Sequence, residues 1–198
     1  TLERVLEDAY QHLDEGNFSV LVDSMSAGRD DRRLRGMILD IHGRIQSHPD
    51  PAHWLREQDA VFQFAGVTDV AQTAWGKLLL EDTRALATFW RGQMMGAVEA
   101  MAADPELESA YGDSFRGTVV GLAELIAATD QGWDAAAACA AVPFPKLKAS
   151  RKIQDKGLQE RVKTLREQCK KKLASLTDRF AGDSAVLLGD LRTVSVPV

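Results

Sequence analysis

A chain of 198 residues with 45% apolar and 27% charged side chains has the balance of an ordinary globular domain and the length for a sizeable core. No apolar run approaches the roughly 20 residues that a membrane-spanning helix needs. The N-terminal Thr-Leu-Glu-Arg-Val-Leu-Glu-Asp has neither the basic nor the apolar region of a secretion signal, so the sequence predicts a soluble, cytoplasmic protein with no membrane partner. The net charge is -5, and Cys139 and Cys169 have no partner ligands at metal spacing, which argues against a disulfide framework or a zinc site and makes both packing residues.

Apolar residues recur at helical spacing along nearly the whole chain. Leu2, Val5, Leu6, Ala9, Tyr10 and Leu13 form a first stripe that Gly16 closes, and Asn17 is placed to cap a short second helix carrying Phe18, Leu21, Val22 and Met25. Leu34, Met37, Ile38, Ile41 and Ile45 form a third, ended by Pro49 and Pro51. From about Thr68 to Ala103 there is no proline, and Val70, Ala74, Leu78, Leu86, Phe89, Val98 and Met101 predict one long helix of roughly 50 Å. Asp104-Pro105 restarts a helix with the cap first and proline at the first helical position, and Leu107, Tyr111, Phe115, Val119, Leu122 and Ile126 carry it on. A short alanine-rich helix follows within 131–142. Pro143 and Pro145 then break the pattern and mark an extended link. Beyond it Leu158, Val162, Leu165, Cys169, Leu173, Leu176 and Phe180 step by threes and fours, a seam for packing on another helix. Strand signals are nearly absent, and the expected fold class is all-α, an elongated bundle of long antiparallel helices. The chain opens on Thr1 inside a helical repeat and stops at Ser-Val-Pro-Val, the pattern expected of a piece of something larger.

Charge is segregated within this helical frame. Between Lys146 and Lys172 there are 11 Lys or Arg against three acids, Asp155, Glu160 and Glu167, a local +8 that leaves -13 on the remainder. Self-repulsion makes such segregation costly unless an anion is near, and a phosphate backbone is the commonest such partner; a solvated helix face is the plainer alternative.

Sites for chemistry are hard to find. Gly76-Lys77 ends like a phosphate-binding loop, but Ala71 replaces the first glycine and Leu78 the hydroxyl residue, which rejects an ATP site in this chain. His12, His42, His48 and His53 are dispersed and lack a carboxylate set, so no metal site is assigned. Glu81-Asp82 and Asp30-Asp31 are sequence neighbours that do not face each other on a helix, and no Ser or Cys sits in a nucleophile elbow. Trp54, Trp75, Trp90 and Trp133 lie in helical patterns and read as core packing more than as base-stacking platforms.

Phe18-Ser-Val-Leu-Val-Asp23, followed by Ile45-Gln-Ser-His-Pro-Asp-Pro-Ala-His-Trp-Leu55, Val142-Pro-Phe-Pro-Lys-Leu-Lys-Ala and Leu165-Arg-Glu-Gln-Cys-Lys-Lys-Lys-Leu173, closely resembles in order and spacing the insertion in the first motor domain of the AddA-type ATP-dependent helicase/nuclease, a UvrD/RecB-like superfamily 1 helicase. The likeness is collinear over nearly the whole chain, with the middle, about 65 to 140, matching in helical character alone. It implies a parent that uses ATP and Mg, pairs with an AddB-like nuclease partner and processes double-strand DNA breaks for recombinational repair. It also implies that 1–198 is a single helical insertion subdomain, with the basic segment at 143–180, and that no cofactor and no catalytic residue of the parent falls in it.

On that basis the expected role is a non-catalytic arm for double-stranded DNA. Lys146, Lys148, Arg151, Lys152 and Lys156 would contact phosphates from the link and helix start, while Arg161, Lys163, Arg166, Lys170 and Lys171 line the outer face of the following helix. The rival role is protein interaction, with the same helices bracing the AddB-like partner or the motor domains. An independent helical enzyme has no convergent polar cluster to support it.

Overall fold

The computed structural model describes residues 1–12, 18, 22–23, 32–61, 64 and 66–194, and their regular structure is all helical. The chain divides into two compact units, Thr1–Gly66 with Val186–Val198, and Val67–Ala185.

In the first unit lie α1 (Leu2–His12), α2 (Arg32–Ile45) and α3 (Pro51–Val61). The α1 stripe delivers Leu6 to a small buried cluster with Val22 and Leu34, flanked by Leu2, Phe18 and Ile38. Tyr10 meets Phe18 edge-on at 4.7 Å. Leu13, Gly16, Asn17, Leu21 and Met25 of the first two expected stripes lie outside the described residues. On α2 the expected stripe is narrower than its periodicity suggests: Leu34 and Ile45 are buried, but Met37 and Ile41 are exposed. Pro51 opens α3, since a first helical position needs no N–H, and Asp50 Oδ1 accepts from His53 N at 2.9 Å. His48 stacks on Trp54 at 4.9 Å across the same turn.

The second unit begins with a 3-10 turn, Val70–Gln72, closed as a capping box: the Asp69 side chain accepts from Ala71 N, and Gln72 Oε1 accepts from the Asp69 and Thr68 amides. The single helix expected from about Thr68 therefore starts later, at Ala74, because the Thr73 hydroxyl takes the Gly76 amide at 3.0 Å and acts as the N-cap. Gly76 is required there, since a Cβ would lie 1.9 Å from Val70 O. Helix α4 (Ala74–Met101) then runs 28 residues unbroken, about 42 Å. Asp104 and Pro105 start α5 (Pro105–Thr129) in the manner expected from sequence. Arg84, near the start of α4, pairs with Asp130 at the end of α5, so the two helices form an antiparallel hairpin.

A short α6 (Trp133–Cys139) follows, entered through Gly132 at φ 128, where a Cβ would meet Asp69 Oδ2 at 2.5 Å. The chain then returns along α5 as an extended strap, 140–155, before α7 (Lys156–Arg179) and α8 (Ser184–Val194), which from Val186 onward belongs to the first unit. Gln159 Nε2 of α7 donates to Tyr111 Oη at 2.8 Å near the start of α5, and Arg179 Nη1 of α7 donates to Thr83 Oγ1 at 2.9 Å near the start of α4. Helix α7 is therefore parallel to α5 and antiparallel to α4. The core lies between the three, with Met94, Phe115, Leu122, Leu125 and Leu176 fully buried and each contributing about 1.5–3 kcal/mol. Trp133, 1% exposed, closes one end against Phe180 at 4.7 Å and donates from Nε1 to Gly182 O at 2.9 Å.

The strap is seated on a path of small residues. Thr118 Oγ1 donates to Pro143 O at 2.9 Å and Ser114 Oγ to Pro145 O at 2.5 Å, while Gly117 and Gly121 leave room for the proline rings. A Cβ at Gly121 would stand 2.3 Å from Pro143 Cδ, whereas one at Gly96 of α4 would meet nothing within 4 Å. Two glycine-to-alanine substitutions in helix interiors should thus have opposite signs. Gly96→Ala should raise stability by about 0.5–1 kcal/mol through lower backbone entropy in the unfolded chain. Gly121→Ala should lower the thermal midpoint, as circular dichroism melts of the two variants will read.

Candidate nucleic-acid interface

The strap fixes where its basic side chains go. Prolines at 143 and 145 remove two N–H donors, so this stretch is held through its carbonyls by Thr118, Ser114 and Arg166, and further on through the Lys148 amide, which donates to Ala110 O at 3.2 Å. Ile153, 3% exposed, anchors the strap's far end. Lys146, Lys148, Arg151 and Lys152 between these anchors are all exposed.

At the end of the strap the Gln154 and Asp155 amides both donate to Asp104 Oδ2 at 3.0 Å, while Oδ1 of the same carboxylate accepts from Glu106 and Leu107 at 3.1 Å. These amides, Asp155 foremost, hold the Asp104 carboxyl below the usual aspartate range against the opposing effect of desolvation. Asp155 in turn caps α7, accepting from Leu158 N at 2.7 Å.

On α7 the basic residues divide by face. Lys156, Lys163 and Lys170 recur every seventh residue and form a row on one flank, about 10.5 Å apart along the axis, with Arg161 and Lys171 further round. Lys156, Arg161, Lys170 and Lys171 are exposed and Lys163 is half-buried. Lys163 Nζ donates to Glu160 Oε1 at 2.9 Å, which holds its ammonium above the usual lysine range. Lys148 Nζ lies 3.7 Å from Asp113 Oδ2, both side chains being mostly exposed. Among the described residues no carboxylate pairs with Lys146, Arg151, Lys152, Lys156, Arg161, Lys170 or Lys171.

Arg166 departs from the expectation that it lines the outer face. It is 7% exposed, because its position, four after Val162 and three before Cys169, is on the buried seam, while the expected seam residue Leu165 is half-buried. Its Nη2 donates to Pro145 O at 2.6 Å, and its guanidinium lies over the Phe144 ring at 5.3 Å. Periodicity misses two further features. The path of Ser114, Gly117, Thr118 and Gly121 has a recognisable i, i+3, i+4, i+7 spacing, but small residues leave no mark in a hydrophobicity count. Asp104 is legible as a cap but not as the strap's anchor.

The Gly76 amide is taken by Thr73, and Lys77 continues α4. Among the described residues no group of three or more His, Cys, Asp or Glu is gathered to hold a metal ion, and no helix is long and apolar enough to cross a membrane. Burial pushes the Cys169 thiol up to about 12.

The arrangement defines a class: a helical segment presenting ammonium and guanidinium groups from a strap and a helix flank. No family model matches the chain. Its relatives include the A-subunit of the ATP-dependent helicase/nuclease of Ruminiclostridium cellulolyticum, 29% identical over 98% of this chain and 16% of that protein. Proteins of the same description from Heliobacterium modesticaldum (30% identical, 82% of this chain, 12% of that protein) and Geobacillus kaustophilus (28%, 96% and 16%) are also similar. The chain belongs to this family of ATP-dependent helicase/nuclease A-subunits, as the blocks at Phe18–Asp23, Ile45–Leu55 and beyond lead one to expect, and it spans between 12% and 16% of the length of these relatives.

Two measurements check the electrostatics of this region. Asp104's depressed folded pKa stabilises the fold above the unfolded value near 3.9, and that contribution is lost as pH falls through the folded pKa. Asp104→Asn, whose NH2 cannot accept from the facing amides, should therefore melt well below the native chain at neutral pH, and the two curves should converge as the pH falls below about 4. Iodoacetamide at neutral pH should label the half-buried Cys139 and spare the buried Cys169 until the chain unfolds, as read by mass spectrometry.

Proposed function

We propose that this chain is the helical subdomain inserted in the first motor domain of a helicase/nuclease, and that it is a non-catalytic grip on duplex DNA. The supporting observation is the strap, whose carbonyl anchors leave Lys146 and Lys148 facing solvent in an extended segment, close in sequence to the row Lys156, Lys163 and Lys170. In extended chain the two strap lysines repeat every about 6.6 Å, and the α7 row repeats every about 10.5 Å, so both present charge at intervals along a line. Lysine ammoniums are point charges that neutralise phosphates without reading bases, which suits a motor that must pass over any sequence. ATP and Mg serve the motor and nuclease parts of the parent polypeptide, which works in the cytoplasm on the nucleoid with an AddB-like partner to process double-strand breaks.

A second reading has its own support. The outward face of α4 exposes Leu78, Phe89 and Met95, with open space above Gly92 and Gly96, which suits bracing against the motor or the AddB-like partner. The two readings separate in solution. With about five phosphate contacts the chain should bind a short blunt duplex with a dissociation constant of roughly micromolar to 100 micromolar and a log-log salt slope near -4 to -5. Replacing Lys146, Lys148, Arg151 and Lys152 by Glu should abolish it. Binding that survives this replacement, or no binding at low salt, would sink the DNA reading and favour the bracing one.

A further inference from the structure

Arg166 is a buried cation that the proposed grip does not use directly. Its side chain is 8% exposed, and the nearest carboxylate, Glu167, stands 3.7 Å from Nη1 with most of its own side chain in solvent. Nη2 reaches Pro145 O at 2.6 Å and Ser114 Oγ at 3.5 Å, and Nε has no hydrogen-bond partner among the described residues. Burying a guanidinium without a hydrogen-bonded carboxylate is unfavourable, and an aliphatic residue would complete the Leu158–Val162–Cys169–Leu173 seam at lower cost. What a guanidinium adds there is a charged donor long enough to reach a strap that, having prolines at 143 and 145, has lost two backbone donors of its own. It does so at the residue immediately before Lys146, while covering Phe144.

We propose that Arg166 is a positioning residue for the basic strip: by holding the Pro145 carbonyl and the Phe144 ring it fixes the direction in which Lys146 and Lys148 leave the strap, and it never touches the nucleic acid. This rests on the duplex-DNA reading above. Ser114 is the neutral second donor to the same carbonyl, while the half-buried Glu108 and the exposed Asp113 and Glu160 pair with Arg116, Lys148 and Lys163 and not with Arg166.

The test is a salt titration of duplex binding, by fluorescence anisotropy, for the native chain, Arg166→Met, the pair Lys146→Gln with Lys148→Gln, and all three together. Each lost phosphate contact removes about 0.9 from the slope and roughly tenfold in affinity at about 0.1 M salt. Arg166→Met should reduce the slope by about 2, as the lysine pair does, and adding the lysine pair to Arg166→Met should change little further. Additive losses, or an unchanged slope in Arg166→Met, overturn the proposal. Should Arg166→Met not fold by circular dichroism, Ser114→Ala, which removes the other donor to Pro145 O, should show the same non-additivity with the lysine pair in weaker form, and additivity there overturns it equally. A native chain that does not bind duplex removes the DNA reading instead. Hydrogen exchange at the Lys148 amide, bonded to Ala110 O, then decides the positioning step by itself: faster exchange in Arg166→Met upholds it and unchanged exchange overturns it.

Discussion

The Asp104 carboxylate receives four backbone N–H groups from two stretches of chain about fifty residues apart, Glu106 and Leu107 on one side and Gln154 and Asp155 on the other. One oxygen thereby caps α5 and the other ends the strap. Closing a segment of that length has an entropic cost that grows only slowly with length, so a single well-satisfied anion is an economical closure. It also sets register, because α7 begins immediately beyond the amides that Asp104 holds, and its Gln159 then falls opposite Tyr111. Were the strap to slip by one residue along α5, Pro143 and Pro145 would miss Gly121 and Gly117 and their carbonyls would miss Thr118 and Ser114.

That dependence explains why the third long helix runs parallel to the second. A short turn would have given an antiparallel neighbour; an extended return of 140–155 is what allows α7 to start beside the beginning of α5. An extended segment against a helix has no ladder to satisfy its backbone, and its polar groups must find side chains or solvent. Here prolines remove part of the demand, hydroxyls and a guanidinium meet the carbonyls, and the residues in between are free to be basic and exposed. The strap's surface chemistry thus follows from how its backbone is held.

Much of this frame is legible in the sequence because it rests on signals that act locally. Asp104-Pro105 marks a helix start wherever it occurs, Pro143 and Pro145 stop one, and the α7 seam is a periodicity that tertiary packing preserves. Less legible features depend on residues that carry two roles or none on a hydrophobicity scale. Thr73 reads as an ordinary member of a helical run until its hydroxyl is seen to cap α4. Gly117 and Gly121 read as weak helix residues until prolines occupy the space over them. Charge alone places Arg166 outward, although its spacing from Val162 and Cys169 places it inward; periodicity is the better guide, because a helix face is set by geometry before side-chain type. The Ile45–Leu55 block, one of those that carry the family resemblance, contains the turn between α2 and α3, where Asp50 accepts from the His53 amide and His48 stacks on Trp54.

The same distinction changes how the basic segment is counted. Of the 11 Lys and Arg between 146 and 172, Arg166 is committed to the interior, and Lys148 and Lys163 have carboxylate neighbours, Asp113 and Glu160. Solvent screens pairs of this kind, so they would yield to a phosphate at low cost. Glu160 would remain beside the bound strand, however, repelling it at short range, while Asp113 keeps Arg116 as its partner at 2.8 Å. On the DNA reading, the strip is therefore a row of cations interrupted by fixed negative charges, a composition that attracts a backbone while keeping any one bound position weak. On that reading, a subdomain releasing duplex at every step of an attached motor would be better served by that mixture than by an unbroken positive surface.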